Sequence, residues 1–249
     1  MKAFILLLTV INCAISDIPS QDERNELLEC HNRKRASVQP TSSNMLKLQY
    51  SKELEGRAGF WASRCKVTYP NVKKYPECAK FGINMAIYAG NSSNFKDIVE
   101  YWWSEVINYN FVNNTCATSK SCANYLQLVC AETSELGCAK QRCDGILPMT
   151  KQPTFLFVCL YSRRTYRRER PYKHGPSCSD CPLNTVCTNN LCSTSKRDVE
   201  FEGVACASFP NSSTLSLKFS YTVMFLSTLL NKISLNFCFI VFSINSCPK

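Results

Sequence analysis

The sequence predicts an α+β domain with a small disulfide-rich piece on its C-terminal side. Three observations predict it. Apolar residues in the N-terminal half recur at helical spacing behind polar capping residues. Short apolar and aromatic runs follow in the second half. Cysteines then crowd into a segment almost free of large side chains.

The helices come first. Ser20 followed by Glu23 is a capping-box pattern and starts a helix through NELLECHNRKRAS to about Ser37, where Pro40 closes the turn. Ser51 caps a second helix whose apolar residues Leu54, Ala58, Trp61, Ala62 and Cys65 share one face. The polar cluster NSSN at 91–94 precedes a third, with Phe95, Ile98, Val99, Trp102 and Val106 at the helical period. Three strands are predicted from short apolar runs: NYLQLVC (124–130), LGCAK (136–140) and PTFLFVCLY (153–161). Gly137 in the second permits a close backbone approach. Residues between Cys143 and Gln152 carry Gly145 and Pro148 and read as a loop. Helices first and strands interleaved later describe a layered mixed domain over 21–172.

Composition bounds the class. The 249 residues are 45% hydrophobic, with 3 Trp, 11 Tyr and 14 Phe, enough for a sizeable core. Seventeen cysteines place the chain in an oxidising compartment. Lys2, the apolar run AFILLLTVI and the small-residue stretch Ala14-Ile15-Ser16 form a signal-peptide pattern over 1–16, too short to span a membrane, so secretion is expected. Asn91, Asn113 and Asn211 head glycosylation sequons. The net charge of +10 gathers in SRRTYRRERPYK, at Arg163, Arg164, Arg167, Arg168, Arg170 and Lys173. That run reads as a solvated loop or as a patch for anionic polysaccharide or lipid headgroups; behind a signal peptide, nucleic acid is not an expected partner.

In the segment 173–206, Cys178, Cys181, Cys187 and Cys192 must staple a piece that cannot bury a core, through one of three connectivities. Zinc is the competing reading of its C-x2-C, disfavoured because exported thiols oxidise. Residues 207–249 hold two apolar runs, 219–230 and 233–244, each too short to span a bilayer alone; joined, they centre on Asn231 and Lys232. A membrane anchor, a glycolipid-anchor signal and an extension with no defined role stay open for this tail.

Several motifs then coincide in order. They are HNRKR (31–35), MLKLQYSKELEGRAGFWASRC (45–65), ECAKFGINMAIYAG (77–90), YWWSEVINY (101–109), SCANYLQLVCAETSELGCA (121–139), FVCLY (157–161) with RPY (170–172), and GPSCSDC. Together they resemble the CAP superfamily of cysteine-rich secretory proteins, antigen 5 allergens and plant pathogenesis-related proteins, and most of all its venom-allergen-like members from parasitic worms. The resemblance implies a three-layer α-β-α sandwich (the CAP/SCP fold) followed by a disulfide-rich hinge. It also implies a cleft where two His and two Glu can hold a divalent cation. Carried over residue by residue, those positions are Tyr69, Ile83, Glu105 and Asn124, so one of the four is kept and no metal cofactor is expected. Cys65, Cys122, Cys138, Cys143 and Cys159 match or neighbour the family's bridged cysteines. Cys30 and Cys130 stand where the family has other residues, which prompts the expectation that they bridge each other.

Relatives that hold fatty acids or sterols direct attention to Phe95, Tyr101, Trp102, Trp103 and Phe111 as a lipid-lining set, although helical aromatic stripes are mostly core. The only histidines are His31 and His174, no G-x-S-x-G elbow occurs, and no cysteine sits in a protease signature. The expected function is therefore non-enzymatic binding of a lipid, a sterol or an extracellular protein. A divergent secreted hydrolase and a membrane-anchored surface protein are the alternatives.

Overall fold

A computed structural model of the chain describes residues 18–91, 94–166 and 169–194. The expected leader (1–16), the apolar tail (207–249), Asn211 and the pair Arg167 and Arg168 lie outside the described residues.

Helix α1 (Gln21–Ala36) begins at Ser20 in a complete capping box: the Ser20 hydroxyl accepts from Glu23 N–H, and the Glu23 carboxylate accepts from Ser20 N–H at 2.8 Å. Strand β1 is only Gln49–Tyr50, and α2 (Lys52–Ala62) follows at once, capped by the Ser51 side chain. A 3-10 turn, Pro76–Lys80, leads into β2 (Gly82–Ala89). Helix α3 (Phe95–Ser104) is capped by Asn94 and runs into a 3-10 turn, Glu105–Asn108. A small hairpin, β3 (Tyr109–Asn110) and β4 (Thr115–Cys116), precedes α4 (Ala123–Leu128). Strands β5 (Glu135–Arg142) and β6 (Thr154–Tyr161) complete the main sheet, and β7 (Val186–Thr188) pairs with β8 (Leu191–Ser193) in the hinge.

The main sheet has the order β1-β5-β6-β2, antiparallel except for the parallel β1–β5 pair. Side chains alternate across β6. Phe157, Cys159 and Tyr161 join a core with Leu27 of α1, Phe95, Ile98, Val99 and Trp102 of α3, and Tyr125 and Leu128 of α4. Leu156, Val158 and Leu160 join a second core with Leu54, Ala58, Trp61 and Ala62 of α2. Helices thus cover both faces, and the α-β-α sandwich stands. Burial on both faces explains why β6 reads as an unbroken apolar run. At Gly137 a Cβ would lie 2.1 Å from Glu55 N and 2.5 Å from Ser51 O, so the absent side chain lets α2 lie directly on the sheet.

Three expectations are corrected. Residues 124–130 are not a strand: 123–128 form α4. Strand β2, at the end of ECAKFGINMAIYAG, is an element the strand signals above did not include. Cys130 is a free, buried thiol, so it does not bridge Cys30, which is itself disulfide-bonded. Among the bridges are Cys65–Cys143, Cys116–Cys122, Cys138–Cys159, Cys178–Cys187 and Cys181–Cys192. The first joins the end of α2 to the end of β5, and Cys138–Cys159 links directly opposed residues of β5 and β6. In the hinge, Leu191 and Cys192 are buried, and Cys192 N–H donates to Met45 O at 2.7 Å. The hinge therefore packs onto the domain through 45–47.

Candidate functional site

The four cleft positions divide into two pairs with different fates. Glu105 and Asn124 engage each other. The Glu105 carboxylate accepts from Asn124 N–H at 2.9 Å, Asn124 Nδ2 at 2.8 Å and Tyr125 N–H at 3.1 Å. These two backbone groups belong to the first turn of α4, where the N-cap residue Cys122 supplies no side-chain acceptor. Glu105 supplies it from 19 residues away. Tyr69 and Ile83 instead line an open cleft of about 860 Å³. Tyr69 is 57% exposed, and its phenol is held above the usual range by desolvation and, secondarily, by the Glu105 charge. The residues do not fit a divalent cation. Ile83 has no donor atom, the Asn124 amide nitrogen donates to Glu105, and the one carboxylate already accepts three hydrogen bonds.

The rest of the cleft combines an apolar wall with neutral polar side chains, among them Asn114, Ser121, Gln127 and Thr165, and a basic margin. Trp61 of α2, Phe81, Ile83, Leu126 of α4 and Leu160 of β6 form its walls. Lys120 and Arg164 are its cations, and no carboxylate lines it. Neither cation forms an ion pair among the described residues.

Both histidines lie elsewhere. His31 is fully buried between α1 and the sheet. Its Nδ1 is 2.8 Å from Leu27 O, and a carbonyl can only accept, so Nδ1 carries the proton and Nε2 accepts from the Tyr161 hydroxyl at 2.9 Å. Tyr161 accepts in turn from Asn84 Nδ2, which also donates to Asn124 O at 3.0 Å. This buried chain ties α1 to α4 through the sheet. Burial pulls the His31 pKa down to about 4, so the ring is neutral at physiological pH and structural in role. Arg35, equally buried, donates to the carbonyls of Leu46, Leu128, Cys130, Ala131 and Thr133, fixing the exit from α4. Desolvation lowers its pKa to about 10, which leaves it charged. HNRKR thus carries three buried polar residues, His31, Asn32 and Arg35, and the distant partners of His31 and Arg35, Tyr161 and the carbonyls of 128–133, are ones no local pattern reveals.

His174 lines a second, smaller cleft of about 330 Å³ with Phe111, Cys130, Tyr172 and part of the basic run. Of the run's four described cations, three are engaged. Arg163 pairs with Glu132 at 2.8 Å and with Glu169 at 3.6 Å. Arg170 donates to the carbonyls of Phe111 and Val112, and Lys173 pairs with Asp180. The proposed aromatic lipid set does not converge on one groove. Phe95 and Trp102 are core, Tyr101 is 57% exposed, Trp103 packs on Tyr125, and Phe111 stacks on Tyr172. None of the five lines the larger cleft. In the hinge, the sulfurs of Cys178, Cys181 and Cys192 lie within 4.8 Å of one another. Both hinge bridges use them, so this compact cluster offers no thiolate for a metal. Asn91 and Asn113 are exposed.

The profile of the "Cysteine-rich secretory protein family" matches residues 28–161, which span α1 to β6. The chain belongs to that family, the CAP family. This CAP chain is 35% identical over 186 residues to GLIPR1-like protein 1 of Mus musculus, covering 72% of the chain and 75% of that protein. It is 30% identical over 174 residues to peptidase inhibitor 16 of Bos taurus. That match covers 70% of the chain but only 36% of the relative, so the chain spans little more than a third of that protein's length. Among solved structures, venom allergen-like protein 4 of Schistosoma mansoni superposes with a TM-score of 0.52 at 26% identity, covering 63% of this chain and 97% of that one. Kinship with CAP proteins and with relatives named peptidase inhibitors is consistent with a non-catalytic role. Kinship with secreted CAP and venom-allergen-like proteins supports an extracellular location. No helix among the described residues is long and apolar enough to cross a membrane.

Proposed function

We propose that this CAP protein acts outside the cell as a non-catalytic binder whose cleft receives an amphipathic lipid: an acyl body with one anionic group. The observation that carries the reading is the cleft's composition. Ile83 lines it with Leu126, Leu160, Phe81 and Trp61, and among the described residues Lys120 and Arg164 form no ion pair and no carboxylate joins the lining. About 860 Å³ lies within the range of small-molecule sites, roughly 300–1,000 Å³. An apolar wall gains from burying an acyl chain, and two uncompensated cations orient its carboxylate.

The test is native mass spectrometry of the secreted chain, joined to a displacement assay with oleate as the probe. Oleate is expected to bind, and the double variant Lys120→Glu, Arg164→Glu to weaken it at least about tenfold. A chain that carries no lipid and fails to bind oleate overturns the reading. Oleate binding that ignores the double variant removes the role of the two cations.

A further inference from the structure

The two edges of the main sheet are finished in opposite ways. The β1 edge is two residues long and overlaid with polar contacts: Arg24 bonds Glu55 at 2.7 and 2.9 Å, and Tyr50 OH donates to Glu55 at 2.6 Å. The β2 edge is eight residues long, and its sequence, GINMAIYA, contains no charge and no proline. Short strands, charges and prolines are the usual devices that keep an edge from pairing. The β1 edge has the first two; β2 has none.

The ladder shows which peptide groups face outward. Gly90 N–H donates to Pro153 O at 2.9 Å, one step beyond the Ala89↔Thr154 pair, so 90 and 153 occupy a hydrogen-bonded position of the ladder, in which the proline has no N–H to return. Alternation along an antiparallel ladder then turns the N–H and C=O groups of Tyr88, Ala86, Asn84 and Gly82 toward β6. Those of Ala89, Ile87, Met85 and Ile83 point away. The other side of β6 agrees: Cys143 N–H donates to Thr154 O at 2.7 Å, which directs Thr154, Leu156, Val158 and Leu160 toward β5. Among the described residues, no hydrogen bond reaches the outward groups of Ile83, Met85, Ile87 and Ala89.

We propose that this edge pairs with β2 of a second copy of the chain, antiparallel about a two-fold axis at Ala86. Symmetry permits it, because such a register sets Ile83 against Ala89 and Met85 against Ile87 of the other copy, and the reverse. Every outward group then finds a partner. On one face apolar side chains meet apolar side chains. On the other, Asn84 falls opposite Tyr88, and Ala86 opposite Ala86. The strand's lack of charge is what selects a second copy: self-pairing brings no like charges together across the new ladder. The product is one continuous eight-stranded sheet, closed at both ends by the guarded β1 edges.

The test uses the secreted chain after enzymatic removal of any glycan, since the Asn91 sequon adjoins the strand's end. Sedimentation over a wide concentration range is expected to show a reversible monomer–dimer equilibrium. Amide exchange read residue by residue supplies the specific signature. Protection of 83, 85, 87 and 89 should rise with concentration, while 82, 84, 86 and 88 stay protected throughout. Ala89→Lys, which puts a charge opposite Ile83 of the other copy, should raise the dimer dissociation constant at least about tenfold. A chain that stays monomeric, or a dimer whose β2 exchange does not depend on concentration, overturns the proposal even if the variant folds poorly.

Discussion

Replacing Glu105 with alanine separates a structural carboxylate from a functional one. In the native chain it accepts from Asn124 N–H, Asn124 Nδ2 and Tyr125 N–H at 2.8–3.1 Å. Tyr125 is 1% exposed, so its N–H has no access to water once the carboxylate is gone, and a buried unsatisfied donor costs about 1–3 kcal/mol. Asn124 is partly exposed and can rehydrate, which limits its loss to about 1–2 kcal/mol for the charge-assisted bonds. The expected total is about 2–5 kcal/mol, or a Tm lower by roughly 4–20 °C for a domain of this size. Glu105→Gln keeps an acceptor and should lose about half as much. Thermal unfolding by circular dichroism, with disulfides intact, reads both. A Glu105→Ala chain that melts like the parent but no longer binds its ligand would refute the structural assignment.

Three further outcomes follow from the same geometry. The folded pKa of His31, about 4, lies below its reference value of 6.5, so the unfolded state binds more protons between those values. The resulting stability is complete above about pH 6.5 and falls by up to about 3 kcal/mol as the pH drops toward 4; His31→Gln should flatten that limb in denaturant titrations across pH. Gly137→Ala should abolish secretion of folded protein, because its Cβ collides with the α2 backbone. Gly56→Ala, in the same helix with nothing within 4 Å, should stabilise by about 0.5–1 kcal/mol; secretion yield and Tm check both. Excess zinc should leave the Tm unchanged, whereas a specific site filled to 100 times its Kd would add about 2.7 kcal/mol.

What the sequence showed and what it hid divide along the range of the determining contact. Helices α1, α2 and α3 were legible because their caps, Ser20, Ser51 and Asn94, are local. The segment 123–128 was not, because a short apolar run has no period that separates strand from helix. Its helical state depends on Glu105, which satisfies the first turn from another element. Strand β2 carries a comparable ambiguity. Its apolar run between Gly82 and Gly90 is buried on both faces and shows no alternation. The hinge cysteines announced stapling but not partners, since the choice of 178–187 with 181–192 depends on the β7–β8 register. At the cleft, the substitutions at 69, 83 and 124 were readable one by one. That Ile83 and Tyr69 line the open cleft, while Asn124 and Glu105 bond each other and do not line it, required the fold.

Glu105 is held in place without a cation. A carboxylate left alone beside a helix start would be a buried charge lacking its counter-ion, and such a charge is costly unless it is hydrogen-bonded. Asn124 supplies the missing donor through Nδ2, and its backbone N–H and that of Tyr125 supply two more, so Glu105 is held without any metal. With that pair closed, Glu105 is satisfied by neutral donors, and position 83 is not called on to supply a metal ligand. The side chain at 124 then controls the chemistry on offer at 83. Asn124→Ala removes the Nδ2 donor but leaves Glu105 held by two backbone N–H groups, so it should weaken an anionic ligand in the cleft only slightly. Asn124→Asp should do so more strongly, because it sets two carboxylates side by side. An Asn124→Asp chain that binds oleate as the parent does would break this link between the two halves of the site.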